Sequence, residues 1–259
     1  MTARINVTTE RRAAGIVARV TVCNSGKLNV VGNMLMRGFV EAFSTLAAEP
    51  DLRAVVLAGE GSRAFIGGAD IREMVALDPA SARAFITLLH GVCTAVRRCP
   101  VPVIARMQGF TLGAGLEFAA ACDLRIAAGG GKFGMPETRI GIPSVIEAAL
   151  LPQLIGWGRT RRLLLTGETI DAATALAWGL VEEVVPDDTL DAAIDRVLAD
   201  ILACGPRAIR LQKALIADWE ELSPKAGIAR GIECFSRAWR SEEPQERMAA
   251  FLAAKRRAG

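Results

Sequence analysis

The spacing of apolar and polar positions changes along this chain, and the first part of the chain alternates between two patterns. Short runs of β-branched and apolar residues, bounded by Gly, Pro or charged residues, are typical of buried strands. Residues between these runs repeat their apolar positions at helical spacing. The pattern predicts strands at residues 16–23, 53–58, 101–107 and 124–127, and helices at residues 33–48 and 80–98.

After Gly156 the pattern becomes almost wholly helical. It predicts helices near residues 158–165, 171–178, 188–203, 206–218, 224–240 and 243–256. Strands alternating with helices, followed by helices alone, indicate an α/β fold with a helical C-terminal part. We therefore expect an α/β core over residues 1–195 and a helical region over residues 196–259.

Composition excludes several classes of protein. The chain has 259 residues, of which 51% are hydrophobic and 23% charged, and this balance predicts a globular domain with a substantial core. Its net charge of +3 is too small to indicate a nucleic-acid partner. No window approaches the length of apolar sequence that a membrane span needs, and the start of the chain does not resemble a signal peptide.

Cysteine and histidine usage narrows the chemistry further. The six cysteines form no CxxC pair, so we expect reduced, structural thiols in a cytoplasmic protein. His90 is the only histidine, which argues against a histidine-rich metal site or a triad that depends on histidine. We interpret His90 as one polar residue on a helix and expect no metal site. A P-loop motif is absent.

Two glycine-rich turns have a similar build. Gly67-Gly68-Ala69 and Gly113-Ala114-Gly115 each follow a strand-like segment and precede a helix-like one, so the two turns can face each other. The first N–H groups of a helix are unpaired, and two of them converging on one oxygen form an oxyanion hole. The alternative is that both turns need glycine for geometry alone. Neither turn carries the GxGxxG dinucleotide-binding pattern.

Two glutamates stand close to these turns in the sequence. Glu117 lies three residues after Ala114, as a lone charge among apolar residues of the helix-like segment that follows the second turn. Glu137 follows Pro136 in a Phe-Gly-x-Pro-Glu loop. Each has an ordinary interpretation, Glu117 as a helix N-terminal charge and Glu137 as an exposed loop residue. If the fold brings them together, they can titrate as a pair and supply an acid and a base.

Residues 28–185 resemble the enoyl-CoA hydratase/isomerase (crotonase) superfamily. The resemblance is carried by the segments AFIGGADIREM, PVPVIARMQGFTLGAGLEFAAACDLRIAA, KFGMPETRIGIP and LLLTGETIDAATALAWGLVEEVV, with QERMAAFLAAKRR near the end. It implies a spiral of ββα units followed by helices that build a homotrimer, often a dimer of trimers. It also implies an acyl-CoA thioester as substrate and no separate cofactor, because coenzyme A is part of that substrate.

The resemblance assigns roles position by position. Ala69 and Ala114 match the residues whose backbone N–H groups hold the thioester oxygen. Glu117 matches the glutamate that positions and activates water, and Glu137 matches the one that delivers a proton to Cα. Further positions match the substrate-binding segments of the family: Lys27, Leu28, Gly67, Asp70, Ile71, Arg72, Gly113 and Pro136.

Some of these positions have a second interpretation. Asp70 is better explained as a residue that caps or orients its turn than as a chemical group. Arg72 is basic where CoA phosphates approach in relatives, although a solvated helix charge explains it equally well. Lys27 and Leu28 resemble the segment that lines the CoA entrance.

One segment departs from the family pattern. Hydratases typically continue with IPGAGGTQRL, whereas here Ser144-Val145-Ile146-Glu147 replaces small residues near the acyl pocket. Glu147 is either a third carboxylate facing the site or a charge on the outer face of a helix, and we favour the outer face. The departure leaves the acyl group open.

The first functional hypothesis is an enoyl-CoA hydratase, which adds water to a trans-2-enoyl-CoA to give a 3-hydroxyacyl-CoA. The second is an enoyl-CoA isomerase, which moves a proton with one carboxylate and needs no water. A non-catalytic acyl-CoA-binding protein is a third, although a binding protein has no use for a desolvated pair of acids.

Overall fold

A computed structural model describes residues 3–258 of the chain. The chain divides into two compact units, Met1–Val197 and Leu198–Gly259, and the division falls inside the helix Leu190–Ala203. No helix described between residues 3 and 258 combines the length and the apolar character needed to cross a bilayer.

The strands and helices follow one another along the chain in the order given by their residue numbers. The strands are β1 Arg4–Arg12, β2 Gly15–Cys23, β3 Leu52–Gly59, β4 Ala64–Ile66, β5 Val103–Met107, β6 Phe110–Leu112, β7 Leu124–Ala128, β8 Lys132–Gly134, β9 Thr169–Asp171 and β10 Glu183–Val185. The α-helices are α1 Asn33–Ala47, α2 Ile71–Met74, α3 Pro79–Arg97, α4 Ala114–Ala121, α5 Leu151–Thr166, α6 Ala172–Trp178, α7 Leu190–Ala203, α8 Pro206–Glu221, α9 Pro224–Ala238 and α10 Glu243–Ala258. Short 3-10 turns lie at Ser25–Lys27, Glu137–Ile140, Ile146–Leu150 and Asp187–Thr189.

Two sheets form the first unit. The larger has the order β1-β2-β3-β5-β7-β10 and is parallel except for the antiparallel pair β1 and β2. The smaller has the order β4-β6-β8-β9 and is parallel except for β8 and β9. Every residue of β3 is buried, as expected for a central strand that is covered on both faces. The α/β architecture expected from the sequence is confirmed.

The elements that the sequence missed are short or exposed. Strand β1 carries polar and charged residues and lies at the edge of its sheet, so it has no continuous apolar run. Strands β4, β6, β8, β9 and β10 have three residues each, too few to show a period. Helix α5 is interrupted at Gly156, whose backbone is not helical (φ 77°, ψ 158°). The part after Gly156 matches the helix predicted near residues 158–165, and the turn before it, from Leu151, was not predicted.

All six cysteines lie in the described part of the chain, and none forms a disulfide there. Cys23, Cys93, Cys99 and Cys122 are buried, as is usual for cysteines that behave as small apolar residues. Cys204 is exposed and Cys234 is partly buried.

A buried arginine joins three segments behind the site described below. Arg125 of β7 is 4% exposed. Its guanidinium donates hydrogen bonds to the carbonyl oxygens of Cys122 (2.8 Å) and Leu180 (3.1 Å), and it forms an ion pair with Glu182. These contacts tie the end of α4 and the approach to β10 onto β7. A charge buried this deeply is tolerated because its donors are satisfied.

We expect Arg125→Met to lower the free energy of unfolding by about 3–5 kcal/mol, the usual effect of breaking a buried ion pair. The Met side chain fills part of the space but leaves the carbonyls of Cys122 and Leu180 without their donors. Urea unfolding followed by circular dichroism measures the loss. Arg83→Met, at an exposed position of α3, is the control and should stay within about 0.5 kcal/mol of the unchanged protein. Equal effects of the two substitutions would contradict this account of Arg125.

Candidate active site

A cavity of about 100 Å³ in the first unit lies where the two glycine-rich turns meet. Its lining is mostly apolar, with both predicted glutamates in the wall. The lining residues are Gly67, Gly68, Ala69, Ile71, Met74, Phe85, Ile86, Leu89, Leu112, Gly113, Ala114, Glu117, Pro136, Glu137, Ile140, Ile142, Pro143, Ser144 and Val145. The fold therefore brings together eight of the twelve site residues that the sequence indicated.

The first turn connects β4 to the short helix α2. Gly67 N–H donates to the carbonyl oxygen of Leu28 (2.8 Å), and a Cβ on Gly67 would lie 2.7 Å from that oxygen. Glycine is required here because the backbone of Leu28 approaches so closely. Helix α2 begins at Ile71, two residues after Ala69. The Asp70 side chain caps this helix by accepting a hydrogen bond from Arg72 N–H (3.0 Å). Asp70 thus has the capping role favoured from the sequence.

The second turn connects β6 to α4, which begins at Ala114 as the sequence predicts. Gly113 has φ 52°, and a Cβ there would lie 2.5 Å from Oε1 of Glu137. A Cβ on Gly115 would lie 2.0 Å from the carbonyl oxygen of Ile66. The first glycine therefore provides the left-handed backbone and space for a carboxylate, and the second lets α4 pack directly on β4.

The two turns are neighbours because β4 and β6 pair in parallel. A Cβ on Gly68 (φ 120°) would lie 3.3 Å from the carbonyl oxygen of Leu112, so the backbones touch. Among the hydrogen bonds of residues 3–258, none uses the N–H of Ala69 or the N–H of Ala114. Both residues face the same cavity, so two free backbone donors are available to a ligand oxygen there.

Glu117 and Glu137 are the ionisable side chains in the described lining of the cavity. Glu117 is 5% exposed, and its Oε1 accepts a hydrogen bond from Ala148 N–H (3.2 Å). Glu137 is half-buried against Gly113, and its Oε2 accepts from the Ser144 hydroxyl (2.8 Å). Across residues 3–258, no three His, Cys, Asp or Glu side chains are grouped in a way that could hold a metal ion.

Glu117 holds its proton far more tightly than an ordinary glutamate. Its pKa is raised from the usual 4.5 to about 8, mainly by burial and to a smaller extent by the negative charges of Glu137 and Glu147. The hydrogen bond from Ala148 N–H partly opposes the rise. A carboxyl group that keeps its proton at neutral pH can act as a general acid.

Four predicted site residues border the first turn without lining the cavity. Lys27 is exposed, and its Nζ lies 3.8 Å from Oδ2 of Asp70. Leu28 has a left-handed backbone (φ 57°) and is held by Gly67. Arg72 is exposed on α2. Lys27 and Arg72 therefore present positive charge outside the apolar cavity.

The preferred placement of Glu147 on the outer face of a helix is wrong. Glu147 is 6% exposed in the 3-10 turn Ile146–Leu150, because that turn packs against both α3 and α4. Its Oε1 lies 2.9 Å from Nδ1 of His90. His90 is on α3, as expected, but it has a buried carboxylate as its partner.

Sequence reasoning missed Asn29, which holds the segment beside the first turn. Asn29 is fully buried, and its Nδ2 donates to the carbonyl oxygens of Ala64 (2.9 Å) and Glu60 (3.0 Å). Its Oδ1 accepts from Asn24 N–H (3.0 Å). The sequence did hold a sign of this role, because Asn29 is a single amide between the apolar residues Leu28 and Val30. A polar residue in such a place is buried only where it has hydrogen-bond partners.

We expect Glu117→Gln to stabilise the protein at alkaline pH. Between pH 4.5 and about 8 the unfolded chain loses the Glu117 proton while the folded protein keeps it, so folding stability falls as pH rises through this window. The difference between the two pKa values corresponds to a loss of at most about 5 kcal/mol in the free energy of unfolding. Glutamine cannot ionise, so the variant avoids this loss while its side chain still accepts from Ala148 N–H. Urea unfolding of both proteins should give similar stabilities at pH 5 and a more stable variant at pH 8. A constant difference across this range would contradict the raised pKa.

Comparisons with known proteins agree with this geometry. The family described as enoyl-CoA hydratase/isomerase matches residues 12–258. The chain is 33% identical to a crotonyl-CoA hydratase of Syntrophomonas wolfei, over 87% of each chain, and 31% identical to a short-chain-enoyl-CoA hydratase of Clostridium acetobutylicum, over 92% of each. An enoyl-CoA hydratase crystal structure from Mycobacterium smegmatis superposes with a TM-score of 0.91 at 29% identity, over 96% of both chains. By sequence and by fold, this chain belongs to the enoyl-CoA hydratase/isomerase family of the crotonase superfamily.

Proposed function

We propose that this protein is an enoyl-CoA hydratase, which adds water reversibly across the 2,3 double bond of a trans-2-enoyl-CoA to give a 3-hydroxyacyl-CoA. One observation carries the proposal: two free backbone N–H groups and two carboxylates, one of them with a pKa of about 8, face a single apolar cavity. The reaction needs no cofactor beyond the coenzyme A of its substrate. Both the hydrogen and the hydroxyl of water are added to the substrate, so no other group has to accept or supply electrons.

The backbone supplies the electrostatic half of the site. The thioester oxygen accepts hydrogen bonds from the N–H groups of Ala69 and Ala114. Attack of water at Cβ moves negative charge onto this oxygen, and donors fixed in the fold stabilise that charge without reorganising. The position of Ala114 at the N-terminus of α4 adds the positive end of the helix dipole.

The two glutamates supply the proton-handling half. With the proton on Glu117, the site is ready for dehydration: the Glu137 carboxylate removes the α proton of the 3-hydroxyacyl thioester, and Glu117 gives its proton to the leaving hydroxyl. This leaves water, enoyl-CoA, protonated Glu137 and ionised Glu117. Hydration is the reverse: Glu117 takes a proton from water while Glu137 protonates Cα. The proton returns to Glu117 before the next dehydration.

The remaining walls of the cavity suit an acyl chain and its carrier. Phe85, Ile86 and Leu89 of α3 line the same cavity with apolar side chains and accommodate the acyl group. Lys27 and Arg72 lie outside this apolar region, where they can meet the phosphates of coenzyme A. The acyl chain therefore enters the cavity while the nucleotide stays at the surface.

An enoyl-CoA isomerase is the second candidate, favoured by the hydrogen bond that holds Glu137. A single carboxylate, positioned by Ser144 next to the oxyanion-hole turn, can carry a proton from C2 to C4 or back without water. The family description includes isomerases. Retention of Glu117 beside Glu137 favours the hydratase, because shuttling one proton leaves Glu117 without a task.

The expected assembly is a homotrimer or a dimer of trimers of a cytoplasmic enzyme. Helix α9 supports self-association, because it exposes large apolar side chains at helical spacing. Ile228, Ile232 and Phe235 of this helix have 67%, 70% and 68% of their surface exposed, and Trp239, directly after the helix, has 43%. An uncovered apolar stripe of this kind is typical of a surface that another chain covers.

The reaction is tested with a panel of trans-2-enoyl-CoA thioesters of different chain length. We expect loss of the conjugated thioester absorbance, with the hydrated product identified by mass spectrometry. Glu117→Ala and Glu137→Ala should each lower kcat about a hundredfold or more, because each removes an acid/base group. Glu41→Gln, an exposed carboxylate on α1, is the control and should keep full activity.

The isomerase gives a different pattern in the same experiment. No 2-enoyl-CoA is hydrated, 3-enoyl-CoA is converted to 2-enoyl-CoA, and Glu117→Ala keeps this activity while Glu137→Ala loses it. A protein that binds the thioesters but converts none of them would overturn both enzymatic proposals.

Ser144→Ala should lower kcat about three- to tenfold, with a smaller effect on KM. The variant removes the hydroxyl that orients Glu137 (2.8 Å) but leaves both carboxylates in place, so only the alignment of the proton transfer is weakened. Steady-state kinetics with the best thioester of the panel measure the two constants. A change confined to KM would mean that Ser144 contacts the acyl group instead.

A further inference from the structure

A third carboxylate is buried beside the site and takes no part in the proposed reaction. Glu147 is 6% exposed and lies outside the cavity lining. Its Oε1 meets His90, whereas its Oε2 is buried and makes no hydrogen bond to any described residue. A buried carboxylate with an unsatisfied oxygen opposes folding, so the surrounding structure must hold it in place.

His90 is placed to hold this carboxylate from the solvent side. Its Nδ1 lies 2.9 Å from Glu147 Oε1, and its Nε2 lies 3.3 Å from the Thr94 hydroxyl. Both ring nitrogens therefore have a hydrogen-bond partner, and the two contacts fix the orientation of the ring. Its side chain is 54% exposed, so His90 links the buried group to the surface.

The backbone next to Glu147 is strained. Ile146 has φ 44°, a left-handed conformation that a β-branched residue rarely adopts. Such a conformation persists only where neighbouring contacts determine it, and it clusters at functional sites. The strained residue, the buried carboxylate and the peptide that follows form one unit.

That unit reaches Glu117 in two ways. The N–H of Ala148, the next residue along, donates to Glu117 Oε1 (3.2 Å). The negative charge of Glu147 also acts on Glu117, since it adds to the rise in the pKa of that carboxyl group. Glu147 thus affects both where the Glu117 carboxyl lies and how strongly it holds its proton.

We propose that Glu147 and His90 form a positioning pair for Glu117. His90 fixes the buried carboxylate of Glu147, Glu147 holds the turn that directs Ala148 N–H onto Glu117, and its charge keeps a proton in the site. Neither residue touches the substrate. The effect on turnover rests on the proposed hydratase reaction, whereas the effect on Glu117 itself does not.

The other ionisable groups around Glu117 are few. Helix α3 contributes Cys93, whose thiol pKa is held well above its usual value of 9.0 by burial and by the charges of Glu147 and Glu117. The turn Glu137–Ile140 contributes Glu137, and α4 itself contributes Cys122 at its end. Strands β4 and β6, with sequences AFI and FTL, contribute none. Among the described residues of these elements, Glu147 is therefore the carboxyl group near Glu117 that takes no part in the proposed reaction.

The proposal is tested by following the titration of Glu117 directly. Protein labelled with ¹³C at glutamate side-chain carboxyl groups is titrated by NMR, and the Glu117 signal is assigned by its loss in Glu117→Gln. We expect Glu147→Gln, which keeps the shape and can still accept from His90, to move the Glu117 titration to lower pH. Glu168→Gln, which removes a carboxylate paired with Arg162 outside the cavity, is the matched control and should leave it unchanged.

Kinetics test the positioning role. Glu147→Gln should keep kcat within about threefold of the unchanged enzyme at its pH optimum, while the alkaline limb of kcat/KM moves to lower pH together with the NMR titration. Glu147→Ala and His90→Ala should lower kcat about tenfold with little change in KM, because Ala148 N–H is no longer held on Glu117. If kcat is retained in Glu147→Gln but lost in Glu147→Ala, the loss comes from positioning and not from the missing charge.

Two results would overturn the proposal. One is a Glu117 titration that stays within about 0.2 pH unit in Glu147→Gln. The other is an unchanged kcat in Glu147→Ala and His90→Ala. The NMR arm needs no turnover, so a protein that hydrates no thioester but shows the shift would refute the hydratase and support the pair. If Glu147→Ala does not fold, Glu147→Gln and His90→Ala decide the outcome.

Discussion

The close packing of α4 on β4 is the constraint on which the rest of the site depends. Because Gly115 has no side chain, the helix approaches the Ile66 carbonyl to a distance at which any Cβ would clash. The approach places Ala114 at the mouth of the cavity and turns Glu117 inward, one helical turn later. The paired strands β4 and β6 then bring the Ala69 turn alongside. Gly115 thus determines where Ala114 and Glu117 lie, and the β4–β6 pair adds the second backbone donor, Ala69.

The burial of two neighbouring carboxyl groups in this arrangement is electrostatically unfavourable. Glu117 and Glu147 are both almost fully buried, and the charge of Glu147 opposes the ionisation of Glu117. The fold tolerates them because its extensive apolar core offsets their cost and because Ala148 N–H and His90 satisfy part of their hydrogen-bonding capacity. A site that has to retain a proton at neutral pH is therefore less stable than the same core with apolar side chains in those positions.

Much of this molecule could be predicted from its sequence, and the failures have physical causes. Strand β3 could be predicted because its sequence is a nearly continuous apolar run. Helices α1 and α3 could be predicted because their apolar residues recur at helical spacing. The two glycine-rich turns could be predicted because glycine is needed where one backbone segment approaches another closely. Strand β1 was missed because pairing at an edge needs no apolar run. Glu147 was misplaced because its burial depends on how a 3-10 turn packs between two helices, a tertiary contact that local spacing does not encode.

The segment from Ser144 to Ala148 touches both carboxylates from opposite ends. Ser144 donates to Glu137, Ala148 donates to Glu117, and Val145 between them lines the cavity. In the proposed enzyme, the same five residues therefore form part of the acyl wall and orient both carboxyl groups. A substitution that reshapes this wall for a different acyl chain is expected to change the pH dependence as well.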